Sequence, residues 1–289
     1  MQKKLMTLGM VLCFCLSLWA RPVWSAEGSA IMAAVLENDV FALQEALKPG
    51  TGINATDSRG HSPLDVALAQ GNVSSGPGMV RILLQHDARP GPGPADPALT
   101  LARLLVTQAP SDQLKAALQT SGKVDAAMPN GLTAFLWAAA FAQEPAALEA
   151  LVKAGADPRQ VLPGGDARLG DNALLLAAEH NRNPEIVRFL LRNGLAVNSR
   201  SSMLGDSALM LACRANGNPA VAETLVRHGA DVDMRNGVGC SAFLFAARRA
   251  DGLALLRLLA ERGADVRAVD DSLSNALHAA CAGQGSPEA

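Results

Sequence analysis

The chain has 289 residues, of which 49% are hydrophobic, so it is long enough and apolar enough to bury a sizeable core. Only 3% of the residues are aromatic and none is tyrosine, which is typical of a fold whose layers approach closely through alanine and leucine. The formal net charge is −2, from 25 basic and 27 acidic residues, and this balance argues against nucleic acid as a partner.

The first 25 residues have the pattern of a secretory signal peptide. A basic start, MQKK, precedes an apolar stretch at 5–20, and Val23-Trp24-Ser25 places small residues at positions −3 and −1 of a cut before Ala26. The alternative is an uncleaved membrane anchor, although the stretch is shorter than the roughly 20 residues that a spanning helix needs. We expect cleavage near Ser25/Ala26, no stable membrane insertion afterwards, and a periplasmic or secreted protein. Loss of the three basic residues in 1–25 leaves 22 basic against 27 acidic residues, a net charge of −5.

From residue 29 onwards, one short pattern recurs eight times. Each copy has an anchor Ala or Pro, then an apolar residue, then an Ala three positions further on. Successive anchors lie 33 to 39 residues apart, which is the signature of a repeat protein. The anchors are Ala30, Pro63, Ala98, Ala134, Ala173, Ala208, Ala242 and Ala276.

The second half of each copy has the spacing of a helix. Apolar residues such as Val187, Leu190 and Leu191 lie at i, i+3 and i+4, on one helical face. A glycine follows this run at positions 155, 194, 229 and 263, where a left-handed helix C-cap favours glycine. Each unit is therefore predicted to be an Ala-lined helix, a loop, a Leu-rich helix and an extended turn.

This pattern resembles the ankyrin repeat, whose period is about 33 residues and whose signature is T-P-L-H-x-A. SPLDVA at 62–67 is similar to that signature, and GADVD at 229–233 is similar to the family's G-A-D-V-N segment. The resemblance implies an all-α solenoid of stacked helix-turn-helix repeats with short extended turns. It would occupy residues 26–289 as about eight units, the first, third and last of which are degenerate or capping.

No sequence motif indicates catalysis. GVGCSA at 237–242 matches a dinucleotide fingerprint, but no apolar strand precedes it, and the repeat explains it as a turn. His278 and Cys281 could begin a metal site, but no second pair accompanies them. We therefore predict no catalytic, cofactor-binding or metal-binding residue. His278 occupies the family's structural histidine position, which usually hydrogen-bonds to a neighbouring repeat.

Three cysteines follow the leader: Cys213, Cys240 and Cys281. Their odd number prevents all of them from pairing within the chain, and we expect three small packing residues. The alternative is an exposed Cys240 that forms an intermolecular disulfide.

The resemblance places the variable surface on the concave side, at the turn tips and the outward positions of the first helices. Phe141 would be an apolar anchor beside three arginines that form one basic patch, which suits a partner with an acidic surface. A solvated charged face is the simpler interpretation, and Trp137 is expected to be core. The predicted partner-binding residues are Phe141, Glu179, His180, Arg214, Arg235, Arg248 and Arg249.

Three segments interrupt the regular period. Loop insertions at 71–78 and 159–171 could carry specificity, since insertions in repeat proteins map to loops. The Pro- and Gly-rich run at 89–97 is predicted to be a stiff connector and the weakest joint of the stack.

The sequence thus predicts a monomeric, non-enzymatic module that binds another protein in the periplasm or outside the cell. A narrower alternative is an immunity or assembly factor that caps one specific exported enzyme. An enzyme is a third possibility that no residue pattern supports.

Overall fold

A computed structural model of the chain describes residues 29–48, 52–70, 76–120, 124–160, 172–202 and 204–284. The predicted leader, most of the insertion at 159–171 and residues 71–75 of the other insertion lie outside the described residues. The described part contains fifteen α-helices and no strand, only an isolated bridge between Arg200 and Ser207.

The helices alternate between the first and the second helix of each repeat. The first helices are α1 Ser29–Glu37, α3 Pro63–Gln70, α5 Pro97–Val106, α7 Ala134–Phe141, α9 Ala173–His180, α11 Ala208–Ala215, α13 Ala242–Ala247 and α15 Ala276–Gln284. The second helices are α2 Val40–Ala46, α4 Gly76–Gln85, α6 Ser111–Thr120, α8 Pro145–Lys153, α10 Pro184–Arg192, α12 Pro219–Arg227 and α14 Leu253–Glu261. Six of the eight predicted anchors are the first residue of a helix.

The chain divides into two compact units. One comprises Met1–Ala67 with Met79–Pro94, and the other comprises Leu68–Gly78 with Ala95–Ala289. The boundary between Pro94 and Ala95 falls inside the Pro- and Gly-rich run at 89–97. In the first unit, α1 packs on α2, and the carboxylate of Asp57 accepts the backbone N–H groups of Arg59 and His61 to fix a tight turn.

The second unit is a two-layer stack. The first helices α5, α7, α9, α11, α13 and α15 contact one another in order, and so do the second helices α6, α8, α10, α12 and α14. Alanine makes the close approach of the first helices possible: Ala138, Ala177, Ala212 and Ala246 are buried at the same position of successive repeats. Trp137 is also fully buried, which confirms its prediction as core.

The helices begin and end at residues that stabilise helix termini. Ser207 and Ser241 cap α11 and α13, because each hydroxyl accepts a backbone N–H of the first helical turn. At the other end of each repeat, the second helix is followed by a glycine with positive φ, as predicted. These left-handed residues are Gly155, Gly194, Gly229 and Gly263.

Buried asparagines connect neighbouring repeats just after the first helices α9 and α11. The side-chain amide of Asn181 donates to the carbonyls of Ala139 (3.0 Å) and Ala142 (2.9 Å) in the preceding repeat. Asn216 repeats this bridge, to Ala178 (2.9 Å) and Asn181 (2.7 Å). Since the amides satisfy carbonyls that would otherwise be buried without partners, this asparagine ladder locks successive repeats together.

Candidate functional site

The turns that precede α11, α13 and α15 form one edge, here called the finger edge (residues 200–202, 204–207, 235–241 and 269–275). The backbone N–H of Gly237 donates to the carbonyl of Leu204 (2.6 Å), and that of Asp271 donates to Val238 (3.2 Å). Arginines reinforce the contact, because Arg200 donates to the carbonyl of Arg235 (2.7 Å) and Arg235 donates to Val269 (2.5 Å). The fingers are therefore held to one another by backbone and side-chain bonds.

Apolar side chains project from all three fingers. Leu204 is 37% exposed, Val238 44% and Leu273 77%. Leu204 and Val238 occupy equivalent positions, four residues before the anchors Ala208 and Ala242. An apolar row on neighbouring fingers is the kind of surface that a protein partner covers.

Leu273 is held in an unfavourable backbone conformation. Its φ is +60°, while Gly205 (+70°) and Gly239 (+73°) occupy the same position in the two preceding fingers. Left-handed φ values suit glycine and cost a leucine about 1–2 kcal/mol. The last finger thus retains a strained, exposed leucine where glycine would relieve the strain, and such strain clusters at functional sites.

Behind the fingers, an aromatic ring lies between two arginines. Phe245 of α13 is buried, and the guanidinium carbons of Arg214 and Arg248 lie 5.7 and 5.9 Å from its ring centroid. Both distances fall within the range of cation–π interactions. This cluster brings together two of the predicted site residues around a phenylalanine that the sequence analysis did not single out.

Arg214 is bound to two carboxylates. It donates to Asp206 (2.7 Å) and to Glu179 (3.2 Å), and the amide of Asn236 donates to the other oxygen of Asp206 (2.7 Å). Glu179 is only 8% exposed, and His180 Nε2 lies 3.6 Å from its carboxylate, with a His180 side chain that is nearly as buried. Glu179 and His180 therefore do not face solvent as expected, and Arg214 of the next repeat pairs with Glu179.

The other two arginines are also paired. Arg248 Nη2 lies 3.5 Å from Asp270, and its side chain is 45% exposed. Arg249 holds Asp251 through two hydrogen bonds (2.8 and 2.7 Å) and donates to the carbonyl of Arg214 (3.3 Å). With Glu179 and Asp206 included, four carboxylates surround the three guanidiniums. Each of the three arginines predicted to form one basic patch is thus paired with a carboxylate, and the arginines also connect neighbouring repeats.

Two of these carboxylates, Asp270 and Asp251, are stabilised in their charged form. The hydrogen bond from the backbone N–H of Ser274 lowers the pKa of Asp270 against the effect of burial. The backbone N–H of Ser272 and the charge of the Arg248 guanidinium lower it further. The hydrogen bond from Arg249 lowers the pKa of Asp251. Both groups therefore remain ionised near neutral pH, and the ion pairs persist there.

The remaining predicted residues lie apart from this cluster. Phe141 is half-buried, on α7, with its ring centroid 5.6 Å from that of Trp137. Arg235 is exposed but is engaged with the carbonyls of Gly239 and Val269. Whether these residues bind a partner stays a prediction.

The cysteines and His278 differ from expectation in part. Cys213 and Cys240 are buried, as expected of packing residues, so Cys240 is not the exposed thiol that an intermolecular disulfide requires. Cys281 is exposed, which contradicts its prediction as a packing residue. His278 is exposed as well, and Nδ1 accepts the N–H of Asn275 in its own repeat (3.4 Å) rather than bridging to a neighbour.

Within the described ranges, no group of three or more His, Cys, Asp or Glu residues is placed to hold a metal ion. In the same ranges, no helix is both long and apolar enough to cross a membrane.

The repeat stack and its fingers define a repeat protein of the ankyrin type. A family model described as ankyrin repeats (3 copies) matches residues 135–236 and 209–289, together more than half of the chain. The chain therefore belongs to the ankyrin repeat family, whose repeats serve as protein–protein interaction modules. A search of the curated proteins found no match.

Proposed function

We propose that the protein is exported and that it binds another protein, without catalysis, in the periplasm or outside the cell. The binding surface would be the finger edge together with the adjoining Arg214–Phe245–Arg248 cluster. The basic start, apolar core and small residues of 1–25 support export. Membership of the ankyrin repeat family supports the binding of a protein.

The observation that carries the proposal is the apolar row of Leu204, Val238 and Leu273 on three connected fingers. These side chains are exposed at a cost in hydration, and Leu273 adds backbone strain. The bonds between fingers fix the row in place before a partner arrives. Little conformational entropy would then be lost on binding, which is how a preorganised surface gains affinity.

The partner would offer an apolar surface flanked by a carboxylate. Arg248 is the most exposed of the three arginines in the cluster and is held by Asp270 at 3.5 Å. A partner carboxylate could share this half-exposed guanidinium, since an arginine side chain carries five N–H donors. Since four carboxylates surround the three guanidiniums, apolar contact rather than net positive charge would supply most of the affinity.

A pull-down from an envelope extract of the source organism, with the chain beginning at Ala26 as bait, tests this proposal. Val238→Asp and Leu273→Asp should each weaken capture of the bound protein at least tenfold. Leu253→Asp is the matched control, because Leu253 is also exposed but lies on α14, outside the finger edge. Equal capture by all four proteins would show that the functional surface lies elsewhere.

The identity of the captured protein separates the two versions of the function. A single stoichiometric enzyme whose activity the chain blocks would favour the capping role. Several unrelated proteins would favour a general scaffold.

Export has its own test. N-terminal sequencing of the protein from an envelope fraction should begin at or within a residue or two of Ala26. An intact Met1 in the cytosol would contradict export.

A further inference from the structure

A groove of about 400 Å³ lies between the third and fourth repeats, at the opposite ends of the first helices from the fingers. One wall is formed by the end of α5 and the start of α6, including Leu105 and Leu114. The other wall is formed by Ala142, which follows α7, and by Ala147 and Ala150 of α8. The volume falls within the range of pockets that bind small ligands.

Comparison of this junction with the following ones explains why the groove is open. The helices α8, α10 and α12 each begin at a proline, so their positions correspond directly. Ala147 stands where α10 has Ile186, and Ala150 stands where α10 has Phe189. In α12 the corresponding residues are Val221 and Thr224, so both positions carry larger side chains in the next two repeats and only methyl groups on the wall of the groove.

The asparagine ladder is also interrupted here. Asn181 and Asn216 bridge to the preceding repeat, but the corresponding residue of the fourth repeat is Ala142. Its methyl group cannot donate a hydrogen bond across the junction. Three small residues therefore coincide at one junction, where the fifth repeat has an aliphatic, an aromatic and an amide side chain at the corresponding positions.

The rim of the groove is polar on both sides. Gln108 and Lys115 line one wall, and Gln143 and Glu144 line the other, all of them exposed. Each glutamine amide offers both donors and an acceptor, which is what a peptide group requires. The two charges are of opposite sign, so the rim does not select a strongly charged ligand.

We propose that this groove binds one aromatic or large aliphatic side chain of a partner polypeptide, whose adjacent peptide group is held by Gln108 and Gln143. The alanines of the groove leave room for an apolar side chain like those that α10 carries at the corresponding positions. The two glutamine amides at the rim can hydrogen-bond to a peptide group, which a hydrocarbon ligand lacks. The site is separate from the finger edge and does not depend on its function.

Capped amino acids serve as probes. Titration of ¹⁵N-labelled chain from Ala26 with N-acetyl-phenylalaninamide or N-acetyl-leucinamide should shift the amide signals of Ala142, Ala147 and Ala150 saturably, in the millimolar range. N-acetyl-glycinamide, which has no side chain to insert, should leave them unchanged. Absence of saturable shifts with the two apolar probes would overturn the proposal.

Filling the groove provides the second test. Ala150→Phe and Ala147→Ile restore the residues of α10 and should each weaken probe binding at least tenfold, while thermal unfolding confirms that the variants are folded. Ala260→Phe is the matched control, since Ala260 is exposed on α14, away from the groove, and it should bind normally. Undiminished binding by both groove-filling variants would overturn the assignment.

Free phenylalanine distinguishes a polypeptide ligand from a free amino acid. The capped probe should bind more tightly, because it presents a peptide group for the rim to hold and free phenylalanine has none. Tighter binding of free phenylalanine would overturn the assignment to a polypeptide.

Discussion

Replacement of Leu273 by glycine should relieve strain without a large loss of packing. The left-handed conformation costs a leucine about 1–2 kcal/mol relative to glycine. Because the side chain is 77% exposed, its removal loses only about 0.5 kcal/mol of the roughly 1.5–3 kcal/mol that a buried leucine contributes. Glycine also adds about 0.5–1 kcal/mol of backbone entropy to the unfolded state. Leu273→Gly should therefore be close to neutral.

Ser272→Gly isolates the strain term. Ser272 is exposed, precedes Leu273 and does not have a positive φ, so its replacement carries the same entropy cost without strain relief. The entropy terms cancel between the two variants, and Leu273→Gly should be more stable by about 1 kcal/mol.

Hydrogen exchange is the suitable assay, because the last repeat can open separately from the rest of the stack. The amides of Ser274 and Ala279, which donate to Asp270 and Asn275, report on this repeat. Exchange should be about fivefold slower in Leu273→Gly than in Ser272→Gly, as 1 kcal/mol implies. Equal or faster exchange would refute the assignment of strain to Leu273.

Three further predictions concern the ladder, the carboxylates and the thiols. Asn216→Ala should lower the free energy of unfolding in urea by about 2–3 kcal/mol, because it leaves buried carbonyls unpaired, whereas the more exposed Asn218→Ala should cost less. The folded-state pKa of Asp270 lies below its usual 3.8, so the stability that its charge contributes is present above about pH 4 and is lost as the pH falls through the folded-state pKa. The difference in unfolding free energy between wild type and Asp270→Asn should therefore be constant near neutral pH and shrink in acid. A difference that stays constant down to pH 2 would contradict this. Burial raises the pKa of Cys213 to about 12 and also raises that of Cys240. In the chain that begins at Ala26, iodoacetamide at pH 8 should therefore label Cys281 first, and equal labelling of its three thiols in folded protein would be the contrary result.

The sequence predicts the repeat architecture well because each repeat contains its own local signals. The anchor alanines, the Leu-rich helical face and the C-terminal glycines lie within one period, and self-similarity places them in register. Six helices consequently begin at a predicted anchor, and Gly155, Gly194, Gly229 and Gly263 all have positive φ. Repetition supplies the comparison that an isolated helix would lack.

The site was harder to predict because its contacts join residues about one period apart. Nothing in its own helix indicates a partner for Arg214. Glu179 precedes it by 35 residues, and only the stacking of repeats brings the two side chains to 3.2 Å. Phe245 similarly reads as core until the two guanidiniums are placed over its ring. The sequence shows that Leu273 stands at the position that Gly205 and Gly239 occupy in the preceding fingers. Its positive φ, however, depends on the geometry of the finger.

The most informative residues are those at which one repeat departs from its neighbours. Each repeat of a solenoid contacts only the adjacent ones, so a departure at one junction leaves the remaining junctions intact. Leu273 in place of glycine alters only the last finger, and Ala142, Ala147 and Ala150 alter only the junction of the third and fourth repeats. Neither change improves local stability: the first adds strain, and the second removes packing and a hydrogen-bonded bridge. Since neither departure gains stability within the chain, contact with another protein at the finger edge and at the groove, as proposed above, would supply what the repeat itself lacks.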